Sequence, residues 1–166
     1  MEKLKVKPIS VIAFEKYGQF HSMLNPDTEK LAPGPVEFHR DIVKISLGRS
    51  NQPSFSVTHI SKRPLIVEKL EYHNYTGEAF MPLDGDVIIH LAPASRPENV
   101  PYDKIEAFYI PKGTLVTIHP GVWHQAPYAA GEDTVNVLVV LPERTYVNDC
   151  KVVLLEEAHR LILEKE

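Results

Sequence analysis

The sequence has almost no cysteine: Cys150 is the only one among 166 residues. A disulfide bond within the chain is therefore excluded, and no cysteine cluster can hold zinc. Any bound metal would need nitrogen and oxygen ligands, and the chain offers 8 histidines and 22 aspartates and glutamates.

An excess of positive charge and long apolar runs are also absent. The net charge of -4 provides no basic face of the kind that binds nucleic acid. The longest apolar runs, such as residues 135–141, are too short to span a bilayer, and the opening residues MEKLKVKPIS lack the apolar centre of a signal peptide. We therefore expect a cytoplasmic protein that binds a small molecule and neither nucleic acid nor membranes.

The length and composition are those of an ordinary globular protein. A chain of 166 residues can bury one core and is short for two, so we expect a single domain over residues 1–166. Hydrophobic residues make up 43% and charged residues 24%, which excludes a disordered or fibrous class.

Short apolar or alternating runs, separated by Pro, Gly and Asn, are typical of an all-β sandwich or barrel. The 14 prolines fit such frequent interruptions. The predicted strands are residues 37–46, 55–60, 65–71, 79–83, 87–91, 106–110, 115–118 and 135–141. Residues 25–35 and 92–101 lack periodicity and are predicted to be surface loops.

Two helices are also predicted, both outside the sheets. The first covers residues 11–17, with Ser10 as its N-cap and Gly18 at its end. The second covers residues 155–165, where Leu155, Ala158 and Leu161 recur at helical spacing.

The polar residues with possible chemistry concentrate in two stretches. EYHNYTGEAFMPLDG contains Glu71, His73 and Glu78, and GTLVTIHPGVWH contains His119 and His124. The order of these residues and of the accompanying glycines resembles the two motifs of the cupin superfamily. In the first motif Glu71 takes the place of the usual earlier histidine, and in the second His119 takes the place of a proline.

The cupin resemblance implies a double-stranded β-helix, also called a jelly-roll barrel, with a metal held between the motifs. Residues at i and i+2 on a strand share a face, so Glu71 and His73 could both point into the barrel. The expected metal ligands are His73, Glu78, His124 and Glu71. Imidazole and carboxylate ligands suit divalent Ni, Mn, Fe, Co or Zn, and affinity order alone does not select among them.

Four segments, two of which overlap these motifs, carry a more specific resemblance that covers nearly the whole chain. They are PISVIAFEKYG (residues 8–18), LEYHNYTGEAFMPLDG (residues 70–85), IHPGVWHQAPY (residues 118–128) and NDC (residues 148–150). Together they resemble the ureidoglycolate lyase family. The resemblance implies a carbon–nitrogen lyase that splits ureidoglycolate into glyoxylate and urea in purine and allantoin catabolism, and it implies a homodimer with a divalent metal, nickel being the one associated with the family. The family usually has glutamine where this chain has Glu78, and a second histidine where it has Gln125.

If the chain is such a lyase, a base must remove the proton of the substrate's hydroxyl group, and either Glu78 or His119 could do so. The substrate carboxylate requires a cation, such as Arg63 or Lys62. The side chains expected to contact substrate are Arg63, Lys62, Trp123 and Gln125. Two other classes remain open: a different metal-dependent cupin enzyme, such as a sugar isomerase or an oxygenase, and a cupin that binds a small molecule without turning it over.

Overall fold

A computed structural model of the chain describes residues 1–32, 34–131 and 134–165. Strands dominate it, which confirms the predicted all-β class. The strands are β1 (Glu2–Pro8), β2 (Gly18–Ser22), β3 (Pro53–Ile60), β4 (Ile66–Val67), β5 (Lys69–Tyr72), β6 (Glu78–Pro82), β7 (Val87–Ala92), β8 (Glu106–Ile110), β9 (Thr114–Ile118), β10 (Trp123–His124), β11 (Tyr128–Ala129), β12 (Val135–Pro142), β13 (Lys151–Leu154) and β14 (Leu161–Glu164). The helices are α1 (Val11–Phe14), α2 (Thr145–Asn148) and the 3-10 turns Tyr102–Lys104 and Glu157–His159.

Within the described residues these strands form two sheets. Nine strands make the larger sheet, in the order β13-β5-β10-β7-β8-β1-β14-β4, with β11 paired to β7. Five strands make the smaller sheet, in the order β2-β9-β6-β12-β3. Most neighbours are antiparallel, whereas β1 runs parallel to both β14 and β8. None of the helices in the described ranges has the length and apolar character needed to cross a membrane.

Both faces of β7, in the middle of the larger sheet, are covered, since all of its residues are buried. Its odd residues face the smaller sheet and its even residues face the other way, as the two-residue period of a strand requires. The inner core lies between the sheets and consists of Phe14, Tyr17, Ile60, Phe80, Val87, Ile89, Leu91, Phe108, Ile110, Val116, Ile118, Val122, Ala129, Val135 and Val137. The outer core consists of Val6, Val67, Leu70, Ile88, Ala92, Ile105, Ala107, Trp123, Tyr128, Ala130, Leu155 and Leu163.

Six predicted strands are confirmed with nearly the predicted bounds; they are β3, β6, β7, β8, β9 and β12. The prediction for residues 65–71 corresponds to two short strands, β4 and β5, which Glu68 separates. The predicted loop at 92–101 is confirmed beyond Ala92, and the one at 25–35 is confirmed except at Pro33, which lies outside the described residues.

The predicted strand over residues 37–46 is wrong. Apart from one bridge between Lys30 and His39, this segment pairs with no strand in the described part of the chain. Asp41 has a positive φ of 53°, which interrupts an extended conformation. Backbone groups further along form other bonds: the Lys44 N–H donates to the side chain of Gln19, and the Ser46 carbonyl accepts from the Gly77 N–H.

The predicted helix over residues 155–165 is also wrong. A 3-10 turn covers Glu157–His159, and Leu161–Glu164 forms β14, which lies between β1 and β4. Ala158, which the helical period required on a buried face, is exposed. Consecutive apolar residues such as Leu161 and Ile162 fit a strand equally well, and the pairing partner β1 decides the outcome.

The first predicted helix exists but is shorter, because α1 ends at Phe14. Ser10 occupies the N-cap position, as predicted, but its side chain makes no capping hydrogen bond. Gly18 begins β2, where a Cβ atom would lie 1.7 Å from the Thr117 carbonyl oxygen of β9. Glycine is therefore required there by the close approach of two strands rather than by the end of a helix.

Candidate metal centre

Three elements bring His73, Glu78 and His124 together. His73 follows β5, Glu78 is the first residue of β6, and His124 is the last residue of β10. Glu78 is paired with Ile118, a residue of the inner core, so its side chain points between the sheets. One potential ligand atom from each of the three residues lies within 4.8 Å of the other two. This confirms the spatial proximity that the motifs predicted.

Backbone carbonyl groups orient both imidazole rings. The Nδ1 of His73 donates to the Asp149 oxygen at 2.7 Å, and the Nδ1 of His124 donates to the Val122 oxygen at 2.8 Å. A carbonyl oxygen can only accept, so each ring carries a proton at Nδ1. The Nε2 atoms therefore face Glu78, whose Oε2 lies 3.1 Å from that of His73 and 3.2 Å from that of His124.

This arrangement fits a cation. Two imidazole nitrogens and a carboxylate oxygen would repel one another at these distances unless a proton or a metal ion lies between them. The side chains of His73, His124 and Glu78 are only 5%, 3% and 15% exposed, so water can compensate little of their charge. Two nitrogen donors and one anionic oxygen suit a divalent transition metal.

The same contacts shift the pKa values of two of the residues. Burial alone would raise the pKa of Glu78, but hydrogen bonds and charges from His124 and His73 outweigh it and lower the pKa to about 2. Burial alone would lower the pKa of His124, whereas the Glu78 carboxylate outweighs it and raises that pKa. The site therefore favours a carboxylate anion next to positive charge.

Glu71, the fourth predicted ligand, lies beside this group but does not join it. It is the cross-strand partner of His124 between β5 and β10, and its charge helps to raise the pKa of His124. Its Oε2 lies 3.8 Å from the Sγ of Cys150. Burial and the Glu71 carboxylate raise the pKa of the Cys150 thiol to about 11, so Cys150 is a protonated neighbour of the site.

Two other predicted residues take structural positions. His119 is exposed at the end of β9, where its backbone N–H donates to the Tyr17 carbonyl at 2.8 Å. Trp123 is fully buried in the outer core, where its Nε1 donates to Ser95 Oγ at 2.9 Å and its ring meets Tyr72 edge-on at 4.5 Å. Neither side chain belongs to the three-residue group.

The predicted substrate contacts Arg63 and Gln125 line one cavity of about 580 Å³. Arg63 donates to the Ala126 carbonyl at 2.8 Å, and its guanidinium lies 4.2 Å above the ring of Tyr128. In the amide orientation that satisfies both of its groups, Gln125 donates to the Lys69 carbonyl at 3.2 Å and accepts from Lys69 Nζ at 3.1 Å.

Lys69 also lines this cavity, and no sequence motif indicated it. The available signal was its spacing: it lies two residues before Glu71 on β5, so the two side chains share a face. Lys62, the other predicted cation, lines a smaller cavity of about 170 Å³ together with Arg63.

Comparisons with known proteins agree with the motifs. The sequence profile of the ureidoglycolate lyase family matches residues 1–162. The chain is 27% identical over 126 residues to the ureidoglycolate lyase of Rhodobacter capsulatus, covering 75% of this chain and 77% of that protein. It is 26% identical over 129 residues to that of Escherichia coli, covering 76% and 80%.

Among solved structures, the chain resembles a dTDP sugar isomerase from Desulfovibrio desulfuricans. The TM-score is 0.51, and the match covers 86% of this chain and 85% of that one. At 13% identity this likeness concerns the fold alone. With the sheet order, it confirms the cupin-type barrel.

Proposed function

Because the chain belongs to the ureidoglycolate lyase family, we propose that it is a metal-dependent lyase that splits ureidoglycolate into glyoxylate and urea. One observation supports the metal dependence most directly: His73, Glu78 and His124 present three ligand atoms within 4.8 Å. Two of these ligands are held in the correct tautomer by backbone carbonyls, as metal-binding histidines usually are.

We propose nickel as the resident metal, following the family resemblance, with Mn, Fe, Co and Zn as the other divalent ions that this donor set accepts. Once bound, such a cation supplies Lewis-acid chemistry, since it lowers the pKa of a coordinated hydroxyl group and orients the substrate.

The reaction moves one proton, from the carbinol hydroxyl group to the departing urea nitrogen, while the C–N bond breaks and the carbonyl of glyoxylate forms. Glu78 is poorly placed to carry this proton, because one oxygen is shared between His73 and His124. His119 is exposed at a strand end. We propose Glu71 as the proton carrier instead, since it lies across from His124 and outside the ligand group.

The substrate carboxylate would bind in the cavity lined by Arg63, Lys69 and Gln125. Carbonyl contacts and the Tyr128 ring fix the Arg63 guanidinium, and the Gln125 amide fixes the Lys69 ammonium group. Cations held in this way bind a carboxylate through charge-assisted hydrogen bonds. Lys62 would contribute charge from the neighbouring cavity.

A direct test is to measure urea and glyoxylate formation from racemic ureidoglycolate by the nickel-loaded protein. We expect equal amounts of both products and no reaction with N-carbamoylglycine, which lacks the carbinol hydroxyl group. Glu71→Gln should lose most of the activity, since general acid–base catalysis contributes about 10²- to 10⁴-fold, whereas His119→Gln should retain it. A metal-loaded wild type without urea release would refute the lyase assignment.

We also propose a homodimer. The edge strand β3 carries two large apolar side chains, Phe55 and Val57, that are 70% and 62% exposed. Exposed edges with apolar residues are usually covered in stable proteins, and a second copy would do this symmetrically.

A further inference from the structure

Asp149 makes four hydrogen bonds at the point where the C-terminal segment meets the metal centre. Its backbone N–H donates to the carbonyl of Thr145, the first residue of α2, at 2.7 Å. Its backbone oxygen accepts from His73 Nδ1 at 2.7 Å. Its two carboxylate oxygens accept from the backbone N–H groups of Asn74 and Tyr75, each at 2.8 Å.

The sheet explains why Asp149 lies there. β13 is antiparallel to β5, with Lys151 opposite Tyr72, and this pairing brings the residues before β13 alongside the residues after β5. Asp149 therefore reaches the turn between β5 and β6. This turn begins with His73. The other end of the His73 backbone is also fixed, because its carbonyl accepts from the Gly121 N–H at 2.7 Å.

We propose that Asp149 is a positioning residue, whose carboxylate holds the turn at residues 74 and 75 so that its own carbonyl meets His73 Nδ1 and directs Nε2 toward Glu78. This role rests on the metal centre proposed above. With the His73 main chain held by Gly121, the direction of the ring depends on where the Asp149 carbonyl lies. That carbonyl is fixed to the turn by the two carboxylate bonds.

The test compares Asp149→Ala, which removes both acceptors, with Asp149→Asn, which keeps one acceptor oxygen. Asp84→Ala is the matched control, because the Asp84 carboxylate also accepts two N–H groups at a turn, both from Asn136. Nickel affinity is measured by chelator competition, coordination by the visible spectrum of the cobalt-loaded protein, and the His73 tautomer by ¹⁵N NMR of the metal-free protein.

We expect Asp149→Ala to weaken nickel binding about 10- to 100-fold, the usual effect of removing a partner that orients a metal ligand. Asp149→Asn should show a smaller loss, and Asp84→Ala none. The cobalt spectrum should change only in the Asp149 variants. The Nδ1-protonated tautomer of His73 should dominate in wild type and give way to a mixture in Asp149→Ala.

Several results would overturn the positioning role. If Asp149→Ala has the same nickel affinity, cobalt spectrum and His73 tautomer as the wild type, the positioning role is rejected and the metal centre is unaffected. If the wild type bound neither nickel nor cobalt, the proposed function would fail, and the His73 tautomer would then decide the positioning role alone. If Asp149→Ala does not fold, the same comparison is made with Asp149→Asn, and its equality with wild type would reject the role.

Discussion

Replacing Glu78 by glutamine tests what the negative charge of this proposed ligand contributes. Glutamine has nearly the same shape, but it offers only a neutral carbonyl oxygen and an amide donor. In the wild type, the Nε2 atoms of His73 and His124 face Glu78 Oε2 at 3.1 and 3.2 Å. In the variant they would face either the amide N–H group or the neutral amide oxygen, which is a weaker acceptor than a carboxylate. We therefore expect Glu78→Gln to fold but to retain metal poorly.

The magnitude follows from the burial of the site. Glu78 supplies the anion of the three-residue group, and its side chain is 15% exposed, so solvent screens it little. An interaction with a charged group contributes about 1.5–3 kcal/mol, and each 1.4 kcal/mol changes a binding constant about tenfold. Nickel affinity should therefore fall roughly 10- to 100-fold.

The assay is chelator competition on the purified proteins, with Glu106→Gln as the control. The pKa of Glu106 is also lowered to about 2, despite burial, by Lys16, Tyr17 and Lys7, which lie outside the three-residue group. Glu106→Gln should leave nickel affinity unchanged. With excess metal, Glu78→Gln should keep measurable urea release, because it restores the residue usual in the family. Equal metal affinity in wild type and Glu78→Gln would show that Glu78 is not a ligand.

Other predictions concern pH, substrate binding and assembly. Nickel affinity should fall by up to about tenfold per pH unit below the raised pKa of His124, whose ring must lose a proton to bind metal; a pH-independent affinity would contradict this. In the metal-free protein, the lowered pKa of Glu78 stabilises the folded state at pH values above 4.5, the ordinary pKa of a glutamate. The raised pKa of His124 stabilises the folded state fully at pH values below 6.5, the ordinary pKa of a histidine. The difference in melting temperature between wild type and Glu78→Gln should therefore be largest between these values and shrink on both sides. Lys69→Met should raise KM for ureidoglycolate more than it lowers kcat, whereas Lys44→Met should change neither; an unchanged KM would remove Lys69 from the substrate site. Light scattering should give twice the chain mass of 18.8 kDa, and a mass near one chain at micromolar concentration would argue against the dimer.

The group of His73, Glu78 and His124 could be predicted in large part because motif spacing brings two of its members together locally. His73 and Glu78 are five residues apart, and a strand end followed by a turn and a new strand brings them together. The second motif predicted His124 as the third candidate ligand, but the short strand β10 and its pairing with β5, which hold His124 in place, were not predicted. The prediction for Glu71 shows the limit of this reasoning. Its spacing of two residues from His73 predicted a position near the group of His73, Glu78 and His124, but Glu71 is not part of that group.

The parts that sequence could not predict depend on contacts between distant segments. Asp149 meets Asn74 across 75 positions, through the pairing of β13 with β5, and β13 itself was missed. Residues 161–163 have apolar side chains compatible with either a helix or a strand, and the pairing of β14 with β1 and β4 selects the strand. The single-domain organisation and the cytoplasmic location remain predictions.

The most direct test of the metal centre is elemental analysis after loading with excess nickel and desalting. The wild type should retain about one metal ion per chain, because two buried histidines and one partly buried glutamate form the proposed ligand group. The His73→Ala, His124→Ala double variant should retain almost none. If wild type and double variant retain the same amount of nickel, His73, Glu78 and His124 do not form a metal site.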